Sequence, residues 1–178
     1  ALHEREGRDD DVVLVLAPPV ARAQVSVQVY ALPAGGGSPH DVAVGADGTA
    51  WYTAQRSGQL GRLDPGTGKA DLIPLGPGAA PHGVIIGPDG APWITESGTN
   101  AIVRVDPQTR GVRRWPLPEA RGYVNLNTPT FDRRGRIWFT GQNGVYGRLD
   151  PKTGDMQVWD APRGRGPYGI ATTPDGAV

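Results

Sequence analysis

Short runs of alternating apolar and polar residues follow one another along the chain from residue 26 onward, each bounded by Gly, Pro or Asp. Such alternation is typical of β-strands that bury one face. An amphipathic helix would need apolar residues at i, i+3 and i+4, and no stretch of this chain keeps that spacing. The pattern therefore predicts an all-β protein.

The strands belong to a unit of roughly 40 residues that recurs along the chain. Each complete unit opens at a Pro, passes through a turn glycine into a strand that carries Trp, and reaches an Asp-Pro turn before its last strand. The openings are Pro39-His40, Pro81-His82, Pro129-Thr130 and Pro167-Tyr168. The turn glycines are Gly48, Gly90, Gly135 and Gly176, and the tryptophans are Trp51, Trp93 and Trp138.

Four short strands per unit, joined by tight turns, are typical of a propeller blade. We predict a β-propeller of four-stranded antiparallel blades, about four of them represented here. We place an outer strand at 26–33, blades at 38–76, 80–118 and 127–162, and an incomplete blade at 166–178. Because a closed ring needs roughly 4–8 blades, we expect the native protein to continue further, with the outer strand completing its last blade.

Residues 1–23 precede this propeller segment (24–178) and lack its pattern. An apolar run, Val12–Ala17, is followed by Ala21-Arg22-Ala23, which is the order of a secretory signal peptide and its cleavage site. We therefore expect a periplasmic or secreted protein. The alternative is a disordered tail on a cytoplasmic protein. The run is too short for a transmembrane helix, which needs about 20 apolar residues.

The composition narrows the possible partners. The formal net charge is zero and the pI is near 7.1, so neither nucleic acid nor an anionic membrane is an expected partner. The chain has no Cys, which excludes disulfides and thiolate metal sites. We expect a monomer that takes a small-molecule or cyclic peptide ligand in its central channel.

Candidate site residues are those that differ between units, because residues shared by every unit serve the blade. Innermost strands begin near one mouth of the channel, so the second residues of the four openings should converge there: His40, His82, Thr130 and Tyr168. Imidazoles can act as general base, general acid or metal ligand. Alternatively, each His only begins a strand.

Two further features are specific to one unit. Glu96 follows the strand of Trp93, where the neighbouring units have Ala54 and Gly141. It is either a ligand-binding group or an exposed acid in a hairpin turn. The linker between the second and third blades is the longer one and should enter the same mouth, where binding loops tend to lie. It carries Arg121, Tyr123, Asn125 and Asn127, of which we select Tyr123 and Asn125 as binding residues.

The sequence PHGVIIGPDGAPWITESGTNAIVRVDP (residues 81–107) and its repeats resemble the streptogramin B lyase (virginiamycin B lyase) family. The resemblance covers about residues 26–178. It implies a seven-bladed propeller that linearises a cyclic depsipeptide antibiotic by elimination across its ester bond. It also implies Mg²⁺ as cofactor, with a base removing a carbon-bound proton while the metal stabilises the enolate-like charge.

The family's catalytic set is a His at one blade start and Glu-x-His at the next. His40 and His82 match the two histidines, whereas Ala80 stands where the Glu is expected. Lyase activity is therefore one hypothesis. A non-catalytic propeller that binds a ligand or protein is the second, and a metal-dependent lactonase-like hydrolase is the third.

Overall fold

The computed structural model of the protein describes residues 26–35 and 38–178. Within these residues, twelve strands form three four-stranded antiparallel sheets, and each sheet keeps its strands in chain order. The predicted fold class, a β-propeller of four-stranded blades, is confirmed. The signal-peptide-like segment at 1–23 lies outside the described residues, so export stays a prediction.

Each blade runs from its inner strand to its outer strand, with bounds as follows. The first blade contains β1 (Pro39–Val44), β2 (Ala50–Ala54), β3 (Gln59–Asp64) and β4 (Lys69–Pro74). The second contains β5 (Pro81–Ile86), β6 (Pro92–Glu96), β7 (Ala101–Val105) and β8 (Val112–Pro116). The third contains β9 (Leu126–Phe131), β10 (Ile137–Gly141), β11 (Val145–Leu149) and β12 (Met156–Asp160).

Left-handed residues at fixed places in the repeat make the turns possible. Gly48, Gly90 and Gly135 join the first two strands of their blades with φ of 82°, 74° and 77°, values that cost a glycine little because it has no Cβ. The turn between the last two strands needs the same conformation. In the second blade Arg110 adopts it with φ of 62°, where the first blade has Gly68.

Apolar side chains fill the spaces between successive blades. Trp51 and Trp93, each 3% exposed, lie in these spaces with the apolar residues of the following blade. The space between the second and third blades also holds Trp115, which stacks on Trp93 with 5.1 Å between ring centroids. This burial holds the inner strands β1, β5 and β9 side by side.

Residues 26–33 are not paired as a strand within the described residues, and their place as the outer strand of the last blade stays a prediction. Val27 and Val29 are 85% and 89% exposed, and among the described residues no strand pairs with this segment. A strand is stable only when its backbone groups find ladder partners, and the three described sheets do not supply them to this segment. The segment instead lies along the first blade, where the Tyr30 hydroxyl donates to the Pro65 carbonyl at 2.9 Å.

The end of the chain contains a turn and no strand. In the segment 166–178 the amide of Thr173 donates to the Ala177 carbonyl and the amide of Gly176 to the Thr173 carbonyl. This is the turn expected at Asp175-Gly176. The helical content of the described residues is two three-residue 3-10 turns, Gln55–Ser57 and Glu119–Arg121, and neither is long enough to cross a membrane.

Candidate functional site

The two histidines meet at the edge where the inner strands begin. His40 and His82 are the second residues of β1 and β5, and their ring centroids lie 4.1 Å apart at an angle of 52°. Tyr168 approaches His82 edge-on, with 6.5 Å between the ring centroids. We call this edge, on which His40, His82 and Tyr168 lie, the rim.

A buried threonine in each blade fixes the backbone of the rim. Its hydroxyl oxygen accepts a hydrogen bond from the inner strand of its own blade, at the residue that follows the rim residue. These pairs are Asp41 N to Thr53 Oγ1 at 3.0 Å, Gly83 N to Thr95 Oγ1 at 2.9 Å and Thr128 N to Thr140 Oγ1 at 3.3 Å. The repeated threonines therefore serve the scaffold, as their recurrence indicated.

The same hydroxyls also connect each blade to the next. Each donates to the carbonyl oxygen of the neighbouring rim residue: Thr53 to His82 at 2.8 Å, Thr95 to Asn127, and Thr140 to Tyr168 at 2.5 Å. A hydroxyl can donate once and accept from a second group, and both capacities are used. The threonines thus set the spacing of the rim residues.

This network places Asn127 on the rim, in the position expected for Thr130. Thr130 pairs with Trp138, as Ile85 pairs with Trp93, so it lies three residues further along its strand. Its hydroxyl contacts the hydroxyl of Thr172 at 3.2 Å. Alignment on the proline failed because Pro129 lies within β9, after the strand has begun.

A spacing in the sequence identifies Asn127 correctly. His40 and Trp51, His82 and Trp93, and Asn127 and Trp138 are all 11 residues apart. The hairpin between the first two strands has the same length in each blade, whereas the longer linker displaces the proline. Counting back from the tryptophan is therefore more reliable than counting from the unit opening.

Asn127 contacts His82 directly. Its Nδ2 lies 3.2 Å from His82 Nε2, and its Oδ1 accepts a hydrogen bond from the Thr128 hydroxyl at 2.9 Å. With Oδ1 accepting from the Thr128 hydroxyl, the amide N–H faces the imidazole. Nε2 is then the unprotonated nitrogen of a neutral ring, with the proton on Nδ1.

The surroundings of His82 favour the same neutral form. Burial lowers the pKa of the half-buried imidazole, the neighbouring His40 lowers it further, and Asp41 acts in the opposite direction. The Asp41 carboxylate is already engaged, because it accepts the amides of Val42 at 2.9 Å and Val84 at 3.1 Å. A neutral imidazole at neutral pH can take up a proton.

Glu96 is fully enclosed and organises its own turn. Its carboxylate accepts the amides of Ala80 at 2.5 Å, Gly98 at 2.8 Å and Thr99 at 2.9 Å, and the Thr99 hydroxyl as well. Arg114 lies 3.7 Å away. The side chain is 0% exposed, so it does not face a ligand in this structure, and it is not an exposed turn acid either.

Tyr123 and Asn125 lie together on the linker that leads into β9. The Tyr123 hydroxyl donates to Asn125 Oδ1 at 3.0 Å and lies 3.2 Å from the Ser97 hydroxyl. Tyr123 is 60% exposed. Ser97 was not among the predicted site residues, although Gln55 and Gln142 stand at its place in the other blades.

The rim does not provide a magnesium site within the described residues. Mg²⁺ prefers carboxylate oxygens and water in an octahedral arrangement. The rim offers two imidazoles and an amide, and the Asp41 carboxylate is held by backbone amides. Among residues 26–35 and 38–178, no group of three or more His, Asp or Glu side chains converges. These residues do not fit the ion, and Mg²⁺ stays an expectation from the family resemblance.

Comparison with known proteins identifies the family. The model of the virginiamycin B lyase family matches residues 15–178. The chain belongs to the virginiamycin B lyase family. The resemblance to this family, which the repeat indicated, is therefore confirmed. No curated protein matches the chain.

Solved structures agree with this family. Virginiamycin B lyase from Staphylococcus aureus is 30% identical with a TM-score of 0.68, over 76% of this chain and 45% of that one. A catalytically inactive His-to-Ala variant of that enzyme, solved with quinupristin, is 28% identical with a TM-score of 0.63, over 70% of this chain and 41% of that one. The chain thus spans less than half the length of these lyases.

The fold itself extends beyond lyases. Hydrazine synthase from Kuenenia stuttgartiensis matches with a TM-score of 0.66 at 15% identity, over 78% of this chain and 40% of that one. At this identity the likeness concerns the fold alone. Membership of the virginiamycin B lyase family therefore rests on the family model and on the more similar lyase structures.

Proposed function

We propose that the protein is a lyase that opens a cyclic depsipeptide by elimination across its ester bond, with His40 and His82 at the reactive centre. The observation that carries this proposal is the contact of the two imidazoles, 4.1 Å between centroids, at the rim. The quinupristin complex of an S. aureus relative supports the substrate class. Because the chain spans less than half of that relative, the activity of the whole protein is part of the proposal.

His82 is the proposed general base. In the elimination, the base removes a proton from the carbon next to the one that bears the ester oxygen. The electron pair of that C–H bond forms a C=C double bond, and the C–O bond breaks to release a carboxylate. No water is consumed, so the product is a linear isomer of the substrate. A neutral imidazole is the form this step requires.

The hydrogen bond from Asn127 restricts access to Nε2 of His82, the proposed base nitrogen. Because Asn127 Nδ2 occupies Nε2 of His82, a substrate has to displace the amide before Nε2 can take its proton. His40 is exposed and in ring contact with His82. It is therefore the proposed second imidazole, which passes the proton on to solvent.

A non-catalytic, ligand-binding propeller is the second candidate. Two observations favour it. Ala80 offers no carboxylate beside the rim, and its amide is bound to Glu96. The base nitrogen of His82 is also already engaged by Asn127. Such a protein would bind the depsipeptide at the same rim and release it unchanged.

The mass of the product separates these functions. We would incubate the protein with quinupristin and Mg²⁺ and follow the peptide by chromatography and mass spectrometry. A linear product of unchanged mass supports the lyase. A product heavier by one water indicates the hydrolase hypothesis and overturns the proposal. Saturable binding with no product indicates the binding propeller.

A further inference from the structure

A second concave site lies between the second and third blades, at the opposite edge from the rim. It is a cavity of about 400 Å³, within the range of small-ligand sites. Its lining comes from these two blades and includes Asp89 and Trp93 of the second and Phe131, Asp132, Arg134 and Lys152 of the third. Because β5 and β9 run from the rim to this edge, the cavity is separate from the histidines.

The two carboxylates of the cavity are already neutralised. Asp89 accepts hydrogen bonds from Arg104 Nε at 2.6 Å and Trp93 Nε1 at 3.1 Å. Asp132 accepts them from Arg136 Nε at 2.7 Å and from Trp138 Nε1. The lowered pKa of both groups, which these donors cause against the effect of burial, keeps them ionised and paired.

Three cations also line the cavity: Arg133, Arg134 and Lys152. All are exposed, and none forms an ion pair within the described residues. The aliphatic part of Arg133 lies against Gly176, which restricts its motion. After the paired carboxylates are counted, the cavity retains unbalanced positive charge.

The repeat shows that this charge is specific to the third blade. At the position of Arg134 the other units have Asp47, Asp89 and Asp175. In the second blade that Asp binds the tryptophan indole. In the third blade Asp132, two residues earlier, binds it instead. The turn therefore no longer needs an acid at position 134, and a cation occupies it.

The rest of the lining is apolar. Phe131 is half-buried and meets Trp93 edge-on, with 5.6 Å between the ring centroids. Pro88 and Pro151 also line the cavity. A flat apolar group can pack on such a surface while an attached acidic group reaches the cations at the mouth.

We propose that this cavity binds a small organic anion, an aromatic or similarly flat group that carries a phosphate or carboxylate. The acidic group contacts Arg133, Arg134 and Lys152, and the flat group lies against Phe131. The site is independent of the lyase proposal, because none of its residues belongs to the rim.

Phenyl phosphate, benzoate and phenol are suitable probes, since they share a ring and differ in charge. The readout is the indole N–H resonance of Trp93 in ¹H–¹⁵N NMR spectra of the protein during titration. We expect a saturable shift with phenyl phosphate or benzoate, weakened by added salt, and none with phenol. The stronger of the two anions identifies the acidic group.

The matched variants are Arg134→Asp and Arg56→Asp. The first restores the residue found at this turn in the other units and should weaken anion binding about tenfold. The second makes the same charge change at an exposed arginine of a different turn and should leave binding unchanged. An equal shift with phenol, no shift at Trp93, or equal binding by Arg134→Asp would each overturn the proposal.

Discussion

The residue that most alters the view of the site is Asn127. It is 1% exposed, it is the rim residue of the third blade, and its amide nitrogen faces Nε2 of His82. Charge at this position should therefore control the ionisation of His82.

An Asn127→Asp substitution should raise the pKa of His82, because a carboxylate facing Nε2 stabilises the protonated ring. The measurement is an NMR titration of the histidine side-chain resonances. Asn125→Asp is the matched control, since Asn125 bonds Tyr123 and Ser97 and does not contact His82. An unchanged His82 titration in Asn127→Asp would contradict the contact between residue 127 and the His82 ring.

The lowered pKa of His82 also has a consequence for stability. As the pH falls through about 6.5, the unfolded chain takes up this proton before the folded chain does. The free energy of unfolding therefore decreases across this range down to the folded pKa. In Asn127→Asp, where the folded pKa is higher, this loss should be smaller in denaturant titrations at pH 7 and pH 5.

Glu96 should prove important for stability. Glu96→Ala leaves the amides of Ala80, Gly98 and Thr99 without their buried acceptor, so the free energy of unfolding should fall by about 3 kcal/mol. Urea denaturation measures the change. Glu119→Ala, at an exposed position, should cost less than about 0.5 kcal/mol. Equal effects of the two substitutions would contradict the structural role.

At the scale of the element, the rim depends on threonines in the second strands. Thr95→Val keeps the shape of the side chain but leaves the Gly83 amide and the Asn127 carbonyl without their partner. We expect a loss of about 2–4 kcal/mol in the free energy of unfolding. Thr67→Val, in an exposed turn, is the control and should cost much less. A mild effect of Thr95→Val would show that packing alone sets the rim.

The strands and turns also show which features of the fold and of the site could be predicted from the sequence. The blades were predictable because turn glycines, tryptophans and threonines recur at nearly fixed spacing. The outer strand at 26–33 stays a prediction, because alternation says nothing about a pairing partner. Asn127 was missed because the longer linker moved the proline, although the spacing to Trp138 was intact. The burial of Glu96 depends on three amides from two separate segments, which no local pattern reveals.

At the scale of the whole molecule, neighbouring blades are held together by the same two kinds of contact. An apolar cluster that includes Trp51 or Trp93 fills the space between the sheets. At the rim, a threonine hydroxyl of one blade donates a hydrogen bond to the inner strand of the next. In the third blade Trp138 is half-buried and stacks on Trp159 with 5.9 Å between centroids. The apolar clusters and the threonine hydrogen bonds thus hold the blades together and align the side chains at the rim.

The proposed lyase activity is tested most directly by the rate at which quinupristin is converted to a linear isomer of unchanged mass. The measurement compares the protein with its His82→Ala and Thr130→Val variants. We expect turnover by the protein, a loss of at least about 100-fold in His82→Ala because the base is removed, and nearly full activity in Thr130→Val. Undiminished turnover in His82→Ala, or no isomer formed by the unsubstituted protein, would contradict the assignment.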